Sequence, residues 1–376
     1  MVELADIVRA HGDDYLAKFG PRMPAGHRHA LEAIASCRTE AMGGHLEACD
    51  DSDCNFLRYS YHSCKNRHCP KCHGADTKKW LTKRRRQLLP VPYFHVTITI
   101  PQQLRRAARS HQNKIYSILM STAAEALQKL ASDTQYVGGQ LAILSVLHTW
   151  TRTLEHHPHV HMLVPAGGLD AGGRWRQARK KKYLVCEKSL SKIFRAKFMA
   201  GARKELSGES FPQELWQTDW VVKIKPPIKN PKKVLDYLGR YVHRIAIANS
   251  RILSLENGMV TFRYQESETR RWKTMTLAVE EFLRRYLQHV LPRGFHKVRY
   301  FGLWSPANRK KLEEVQEQLA VKEESAQQDE ANPSSPATVR RCPCCGRGAM
   351  VVIELLRPQA RSPPWALKTG AENQMR

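Results

Sequence analysis

The 376-residue sequence lacks any apolar run near the roughly 18 residues that a membrane-spanning helix needs. Residues 1–15 (MVELADIVRAHGDDY) carry acidic side chains and no apolar core, which excludes a secretory signal peptide. Ten cysteines are too few for a disulfide scaffold. No internal repeat of the solenoid type is present. We therefore expect a cytoplasmic protein whose clustered cysteines bind metal.

Acidic residues are scarce relative to basic ones. The chain has 61 Lys and Arg against 35 Asp and Glu, a formal net charge of +26. Residues 93–311 hold +23 of this charge, residues 1–92 hold +4, and residues 312–376 hold −1. A surface this basic binds polyanions, which favours DNA as the partner.

Composition divides the chain into four segments. Residues 1–92 contain the cysteine-rich stretch and are predicted to form a zinc-binding, DNA-binding domain. Residues 93–311 are predicted to form the main folded domain. Residues 312–340, with seven acidic residues and no aromatic one, are predicted to be a disordered linker. Residues 341–376 form a tail that contains three cysteines.

Hydrophobic periodicity predicts strands and helices in an irregular order. Because they do not alternate strictly as βαβ units, we expect an α+β fold with a largely antiparallel sheet. The predicted strands are 93–101, 140–149, 157–165 and 219–226, with a hairpin at 259–265 and 271–277. The predicted helices are 25–42, 76–89, 113–131, 232–248 and 279–291.

Nine candidate metal ligands lie between residues 37 and 73. Cys69 and Cys72 form a CxxC knuckle, a spacing at which two thiolates bind one tetrahedral Zn²⁺. Cys49 and Cys54 are the nearest candidates for the second pair. One or two structural zinc ions would supply the folding energy that this short polar segment lacks. The remaining candidates, for a second site, are Cys37, His45, Cys64 and His68.

Basic side chains in and near this cluster, and again further along the chain, are predicted to contact DNA phosphates. Two lie among the ligands, three end the basic helix 76–89, two belong to the run at 179–182, and two lie in the helix at 232–248. A solvated loop is the alternative for the run at 179–182. The predicted contacts are Arg67, Lys71, Arg84, Arg85, Arg86, Lys180, Lys181, Arg240 and Arg244.

The string HPHVH places three histidines at alternate positions. On a strand His159 and His161 share a face, and His157 joins them if the strand extends that far. Two imidazoles can hold a divalent ion that polarises a phosphoryl oxygen. Structural histidines are the alternative. His148 and His157 are the candidates for a third ligand.

The predicted helix at 232–248 carries two tyrosines. Tyr237 and Tyr241 are i and i+4, so both rings project from one face, and Arg240 and Arg244 repeat that spacing. A tyrosine beside a metal-bound, arginine-flanked phosphate can lose its proton and attack phosphorus. A tyrosine pair packed on an apolar face is the alternative. With the histidine strand and the basic charge, the pattern suits cleavage and rejoining of one DNA strand through a phosphotyrosine.

These strings resemble one protein family over residues 10–310. HPHVHMLVPAGG is similar to the HUH signature (histidine, bulky apolar residue, histidine) of rolling-circle endonucleases. DYLGRYVHRIAIAN resembles the two-tyrosine motif of the insertion sequence 91 family of transposases. CRTEAMGGHLEAC and SCKNRHCPKC resemble that family's N-terminal zinc-binding domain, and EEFLRRYLQHVLPRGFHKVRYFGLW resembles its C-terminal catalytic segment.

The resemblance implies an HUH domain, in which a central antiparallel sheet carries the histidine pair and a helix carries the tyrosines. It implies that His159 and His161 bind Mg²⁺ or Mn²⁺ and that Tyr237 and Tyr241 are nucleophiles. One tyrosine would nick the element end, forming a 5′-phosphotyrosine and a free 3′-OH for replication. The other would allow a further strand transfer.

Two other functions share part of this pattern. A non-catalytic, zinc-dependent DNA-binding protein fits the charge and the cysteines but needs no paired tyrosines beside a metal. A plasmid replication initiator shares the nicking motifs, but the zinc segment and residues 279–304 resemble the transposases. The tail cysteines have no evident partner pair, so they are a remnant, an alternative ligand set or an unstructured thiol cluster. They are Cys342, Cys344 and Cys345.

Overall fold

The computed structural model describes residues 2–72, 74–230, 233–234, 239, 242, 246–266, 268–320 and 340–358. Its helices are α1 (Leu4–Phe19), α2 (Ala25–Ser36), α3 (Gly74–Arg85), α4 (Arg105–Ser110), α5 (Gln112–Ala131), α6 (Glu187–Glu205), α7 (Glu214–Gln217), α8 (Val279–Leu287) and α9 (Arg309–Ala320). Its strands are β1 (Gly44–Cys49), β2 (Leu57–Tyr61), β3 (Tyr93–Thr99), β4 (Ala142–Trp150), β5 (His156–Pro165), β6 (Gly167–Leu169), β7 (Trp175–Gln177), β8 (Val222–Ile228), β9 (Ile252–Glu256), β10 (Met259–Gln265), β11 (Trp272–Ala278), β12 (Val298–Gly302) and β13 (Met350–Leu356).

The chain forms two compact units, each discontinuous in sequence. The first contains the described residues of Met1–Gly74, Ile247–Arg284 and Gln327–Arg376, and the second contains those of Ala75–Ala246 and Arg285–Ala326. The four continuous segments expected from composition therefore do not coincide with the compact units, because long-range strand pairing groups distant parts of the chain. None of the helices in the described part of the chain is long and apolar enough to cross a membrane.

The second unit is built on a five-stranded antiparallel sheet with the order β12-β4-β5-β3-β8. Alternate residues of each strand face opposite sides. On one side Phe94, Val96 and Ile98 pack with Phe194 and Phe198 of α6 in a core that also includes α5. Each such aromatic ring, once fully buried, contributes about 1.5–3 kcal/mol. The predicted α+β fold with a central antiparallel sheet is confirmed.

The other side of this sheet has a smaller apolar core. Leu144, Val146 and Leu163 contribute to it from β4 and β5, and Tyr93 from β3. The polar residues on this face include the histidines of the predicted metal site. The sheet thus separates a large structural core from the face on which chemistry is expected.

α9 extends into the predicted linker. Leu312, Val315 and Leu319 are buried, because their i, i+3 and i+7 spacing places them on one face of the helix. The prediction of disorder is wrong for residues 312–320. The rest of that predicted linker up to residue 339 lies outside the described residues.

The first unit contains two three-stranded sheets, β13-β1-β2 and β11-β10-β9. In the first of them β1 is central and pairs antiparallel with β13, from Gly44 opposite Leu356 to Cys49 opposite Met350. The run MVVIELL is rich in β-branched and apolar residues, which favour strands. The described part of the cysteine-containing tail is thus folded onto the N-terminal segment.

Candidate functional site

Three histidines converge on β4 and β5. The register of these strands places His148 opposite His159, and His161 follows on the same face of β5. Ring nitrogens of the three lie within 4.8 Å of one another. The ring centroids of His148 and His161 are 4.6 Å apart, and those of His159 and His161 are 4.8 Å apart. The cluster therefore offers three nitrogen donors to one ion.

The structure does not bring His157 into this cluster. Its Nδ1 lies 3.2 Å from Nη2 of Arg105, on the helix α4. The ring centroid of His157 lies 5.7 Å from that of His159, whereas the ring centroid of His148 lies 4.6 Å from that of His161. Of the two candidates for a third ligand, His148 is the one that lies beside His159 and His161.

Hydrogen bonds orient the rings on β5. Nδ1–H of His159 donates to the carbonyl oxygen of His157 at 2.7 Å, which leaves the Nε2 lone pair available to a metal. Nδ1 of His161 lies 2.9 Å from Nε2 of His95 and 3.2 Å from Oγ1 of Thr97. With its Nδ1 held on this side, His161 can also coordinate through Nε2.

Burial keeps these imidazoles neutral. It lowers the pKa of His159 to about 4. The pKa of His161 is held well below its usual range by burial and then by the neighbouring His148. Burial, with nearby Lys225, lowers the pKa of His95 to about 3. At neutral pH these rings keep the lone pairs that a metal ligand requires.

His95 and Thr97 were not among the predicted site residues. His95 is a single histidine in the alternating strand YFHVTITIP, and Thr97 shares its face. Their positions opposite Leu163 and His161 follow from the β3–β5 register. The alternation of β3 indicates that His95 and Thr97 share a face. Only the pairing of β3 with β5 shows which residues of β5 lie beside them.

A second set of buried polar groups lies on the opposite face of β5. His156 is 3% exposed, and its Nε2 lies 2.8 Å from the hydroxyl of Tyr116. Its ring stacks on that of His289, with centroids 6.2 Å apart. His289 lies 3.2 Å from Oγ1 of Thr149. Sequence reasoning missed this network, which ties the ends of β4 and β5 together behind the three-histidine cluster.

Both tyrosines and both arginines of the two-tyrosine motif lie outside the described residues. Val234, just before the motif, and Val242, directly after Tyr241, are buried in the smaller core with Leu163. That core lies on the sheet face that carries the three histidines. The predicted residues outside the described part are Tyr237, Arg240, Tyr241 and Arg244.

Eight cysteines of the described chain form two clusters of four. In the first, the Sγ atoms of Cys37 and Cys72 are 3.7 Å apart, and those of Cys64 and Cys72 are 3.6 Å apart. Four thiolates about 2.3 Å from a tetrahedral zinc ion lie about 3.8 Å from one another, so the cluster fits zinc. Its members are Cys37, Cys64, Cys69 and Cys72. The second cluster consists of Cys49, Cys54, Cys342 and Cys345.

The predicted zinc ligands are thus grouped differently from the expectation. Cys49 and Cys54 do not join the Cys69 knuckle, because their strand region pairs with the tail instead. The structure places neither predicted histidine in a cluster. Nε2 of His45 lies 3.2 Å from a carboxylate oxygen of Glu47, and His68 is buried but outside both sets.

The predicted DNA contacts fall into two groups. Lys71 is paired with Glu3, the guanidinium of Arg84 lies 4.7 Å from the ring centroid of Tyr300, and Arg67 is half-buried. Lys71 and Arg84 thus have partners within the protein, and Arg67 is partly withdrawn from solvent. The others that the structure describes are exposed, and Nζ of Lys180 lies 5.5 Å from the ring centroid of Tyr183. The exposed ones are Arg85, Arg86, Lys180 and Lys181.

Two family models match the chain. One, described as "Transposase zinc-binding domain", matches residues 7–100, and the other, described as "Putative transposase", matches residues 142–312. "Putative transposase y4qJ" of Sinorhizobium fredii (strain NBRC 101917 / NGR234) is 36% identical over 383 residues, covering 94% of this chain and 95% of that protein. The chain belongs to the insertion sequence 91 family of transposases. The predicted family is confirmed.

A second relative of this transposase is described as "Transposase for insertion sequence element IS801", from Pseudomonas savastanoi pv. phaseolicola. It is 29% identical over 282 residues, covering 72% of this chain and 68% of that protein. No solved structure matches the transposase. The match to a transposase zinc-binding domain covers the Cys37 cluster, which supports Zn²⁺ as a cofactor of that domain, and the family is one of transposases, enzymes that act on DNA.

Proposed function

We propose that this transposase nicks and rejoins single DNA strands at the ends of an insertion element through a 5′-phosphotyrosine, and so drives rolling-circle transposition. The observation that carries the proposal is the convergence of three histidines on one face of an antiparallel sheet. A DNA-binding protein without catalysis has no use for such a cluster. The two tyrosines of the matched region supply the nucleophiles.

The three histidines fit a divalent ion, because their ring nitrogens converge and burial holds His159 and His161 in the neutral form. His148, His159 and His161 would hold it. When bound, Mg²⁺ or Mn²⁺ supplies Lewis acidity at the scissile phosphate and neutralises its charge. Imidazole is a softer ligand than carboxylate or water, so we expect tighter binding of Mn²⁺ than of Mg²⁺.

The tyrosines carry the covalent chemistry. The hydroxyl of Tyr237 or Tyr241 loses its proton and its oxygen attacks phosphorus. The bond from phosphorus to the 3′-oxygen breaks, and this oxygen takes up a proton to leave as a 3′-OH. A 3′-OH that later attacks the phosphotyrosine reverses the exchange and joins the strands. The second tyrosine can cleave again before the first is released.

Two further groups of side chains bind and position the strand. Arg240 and Arg244 have the helical spacing to lie beside the phosphates that flank the tyrosines. The exposed cations add contacts to the backbone that do not depend on sequence. Those described by the structure are Arg85, Arg86, Lys180 and Lys181.

The test is a covalent-adduct assay. Single-stranded oligonucleotides covering the parent element's ends are incubated with the full-length protein and Mn²⁺ or Mg²⁺, then separated on a denaturing protein gel. We expect a metal-dependent DNA adduct that is lost in Tyr237→Phe/Tyr241→Phe. The control Tyr183→Phe, an exposed tyrosine elsewhere in the same unit, keeps the adduct.

Binding to the same oligonucleotides, measured by fluorescence polarisation, separates the outcomes. Wild-type protein that binds DNA but forms no adduct with either metal contradicts the proposal and favours the non-catalytic DNA-binding alternative. An adduct that survives the double substitution would show that another side chain is the nucleophile.

A further inference from the structure

We propose that Cys49, Cys54, Cys342 and Cys345 form a second zinc site, in which the C-terminal segment supplies half of the ligands. Both family matches leave this pairing unassigned, since they cover residues 7–100 and 142–312 and exclude Cys342 and Cys345. The site would fasten the last described strand to the N-terminal domain. It goes beyond the nicking reaction and does not depend on it.

The sulfur positions fit a tetrahedral ion. The Sγ atoms of Cys49 and Cys345 are 3.6 Å apart, and those of Cys54 and Cys342 are 3.8 Å apart. These distances match the separation of about 3.8 Å that zinc–sulfur bonds of about 2.3 Å impose. They are also far longer than the roughly 2.05 Å of a disulfide bond. The four thiols therefore surround a volume suited to zinc.

The backbone around these cysteines directs N–H groups at sulfur. The amide of Cys344 donates to Sγ of Cys342 at 3.4 Å, and the amide of Gly348 donates to Sγ of Cys345 at 3.4 Å. In the first cluster the amide of Asn66 donates to Sγ of Cys64 at the same distance. Such donors stabilise the negative charge of thiolates. The two clusters thus share a feature that a metal-binding thiolate requires.

A tight turn with two glycines leaves room for the four sulfur atoms. Gly346 has φ +68, in the left-handed region that a side chain disfavours, and its amide donates to the carbonyl of Cys342 at 3.0 Å. A Cβ at Gly348 would clash with Sγ of Cys49. The turn Cys342–Cys345 is therefore shaped so that the tail sulfurs meet those of the N-terminal segment.

Contacts other than those between the sulfur atoms hold the N-terminal and C-terminal segments in register. The amide of Ala349 donates to Oδ1 of Asp50 at 2.6 Å. Nε of Arg347 lies 3.1 Å from Oδ2 of Asp51. Together with the β1–β13 ladder, they bring the two cysteine pairs together across 288 residues of sequence between Cys54 and Cys342. The ion would crosslink parts of the chain that are remote in sequence.

The test is the zinc content of the full-length protein, measured by inductively coupled plasma mass spectrometry after dialysis into metal-free buffer. We expect two zinc ions per chain in the wild type and one in Cys342→Ser/Cys345→Ser. Cys344→Ser is the matched control, because Cys344 lies in the same turn but is exposed and outside the cluster. It should retain two ions.

Two further measurements keep the result decisive if the serine variant folds poorly. Cys345→His should retain two ions, because Cys₃His is also a common zinc ligand set. With Co²⁺ as the probe, the thiolate-to-cobalt charge-transfer absorption of the wild type should be about twice that of Cys342→Ser/Cys345→Ser.

The proposal is overturned if the wild type holds one zinc ion, or if the double serine variant still holds two. Hydrogen exchange adds an independent readout: amides of β13 should lose protection in the double serine variant, whereas those of β5 should not. Unchanged protection in β13 would show that the metal does not fasten the segment. These readouts need no DNA, so failure of the nicking proposal would not affect them.

Discussion

His148 and His159 lie directly opposite each other on β4 and β5, and this pairing places His148 beside His161, where we propose it as the third nitrogen donor. His157 occupies an equivalent alternate position on β5 but lies against Arg105. His148 and His157 are therefore a suitable pair of positions to compare. Both are histidines at the edge of the same site, and only His148 is placed to coordinate a metal ion.

Substitution of His148 tests this assignment. We expect His148→Ala to weaken Mn²⁺ binding at least tenfold, on the order of the loss seen when even an outer-shell partner is removed. His157→Ala should leave the affinity nearly unchanged, because its ring lies outside the cluster. Isothermal titration of the zinc-loaded protein with Mn²⁺ measures both. Equal losses in the two variants would refute the choice of His148.

Alternation along a strand was enough to predict the His159 and His161 pair from sequence. It could not choose between His148 and His157, since that choice depends on which residue faces which across two strands. The cysteines show the same limit. Spacing identified the knuckle of Cys69 and Cys72, but the partners of Cys49 are set by a strand pairing almost 300 residues away.

At the scale of elements, strands buried on at least one face were predicted to within a few residues, as β3, β4, β5 and β8 show. β1, β2 and β13 were missed. β1 and β2 are short, and much of β13 is exposed, with Ile353 at 55% and Leu355 at 77%, so no alternation distinguishes a buried face. α6 was missed although Leu190, Phe194 and Phe198 recur at the i, i+4 spacing of a buried helix face.

Gly302 ends β12 with φ +61, and a Cβ there would clash with the carbonyl oxygen of Leu141 on the neighbouring chain segment. We expect Gly302→Ala to lower the free energy of unfolding by more than about 2 kcal/mol. Gly173 has a similar φ of +73 but open space around it. Gly173→Ala should cost only about 1 kcal/mol, from the backbone conformation alone.

Urea unfolding followed by tryptophan fluorescence compares these two variants. A Gly302→Ala variant no less stable than Gly173→Ala would mean that β12 can shift to relieve the clash. The strand would then be less firmly fixed to β4 than its register indicates.

At the scale of the whole molecule, the buried histidines couple stability to pH. Burial lowers the pKa of His95 and His156 to about 3 and that of His159 and His289 to about 4. The unfolded chain has histidines of pKa about 6.5. Between these values the unfolded state binds more protons, so the native state loses stability as pH falls below about 6.5.

The prediction is a drop in the urea midpoint between pH 7.5 and pH 5.5 in buffer without added Mg²⁺ or Mn²⁺. Each buried histidine contributes a slope of up to about 1.4 kcal/mol per pH unit in this window. His156→Gln keeps a side-chain partner for Tyr116 and removes one titrating group, so its midpoint should fall less steeply. Parallel curves for the variant and the wild type would exclude His156 as a contributor.

The central position of β1 has a consequence for how the protein is made. β1 obtains one of its two neighbours, β13, only after nearly 300 further residues have been translated. At about 5–20 residues per second, the first unit stays incomplete for roughly 15–60 s after its first half has left the ribosome. A chain that terminates before residue 350 lacks β13, so β1 has both of its strand neighbours only in chains translated past that point.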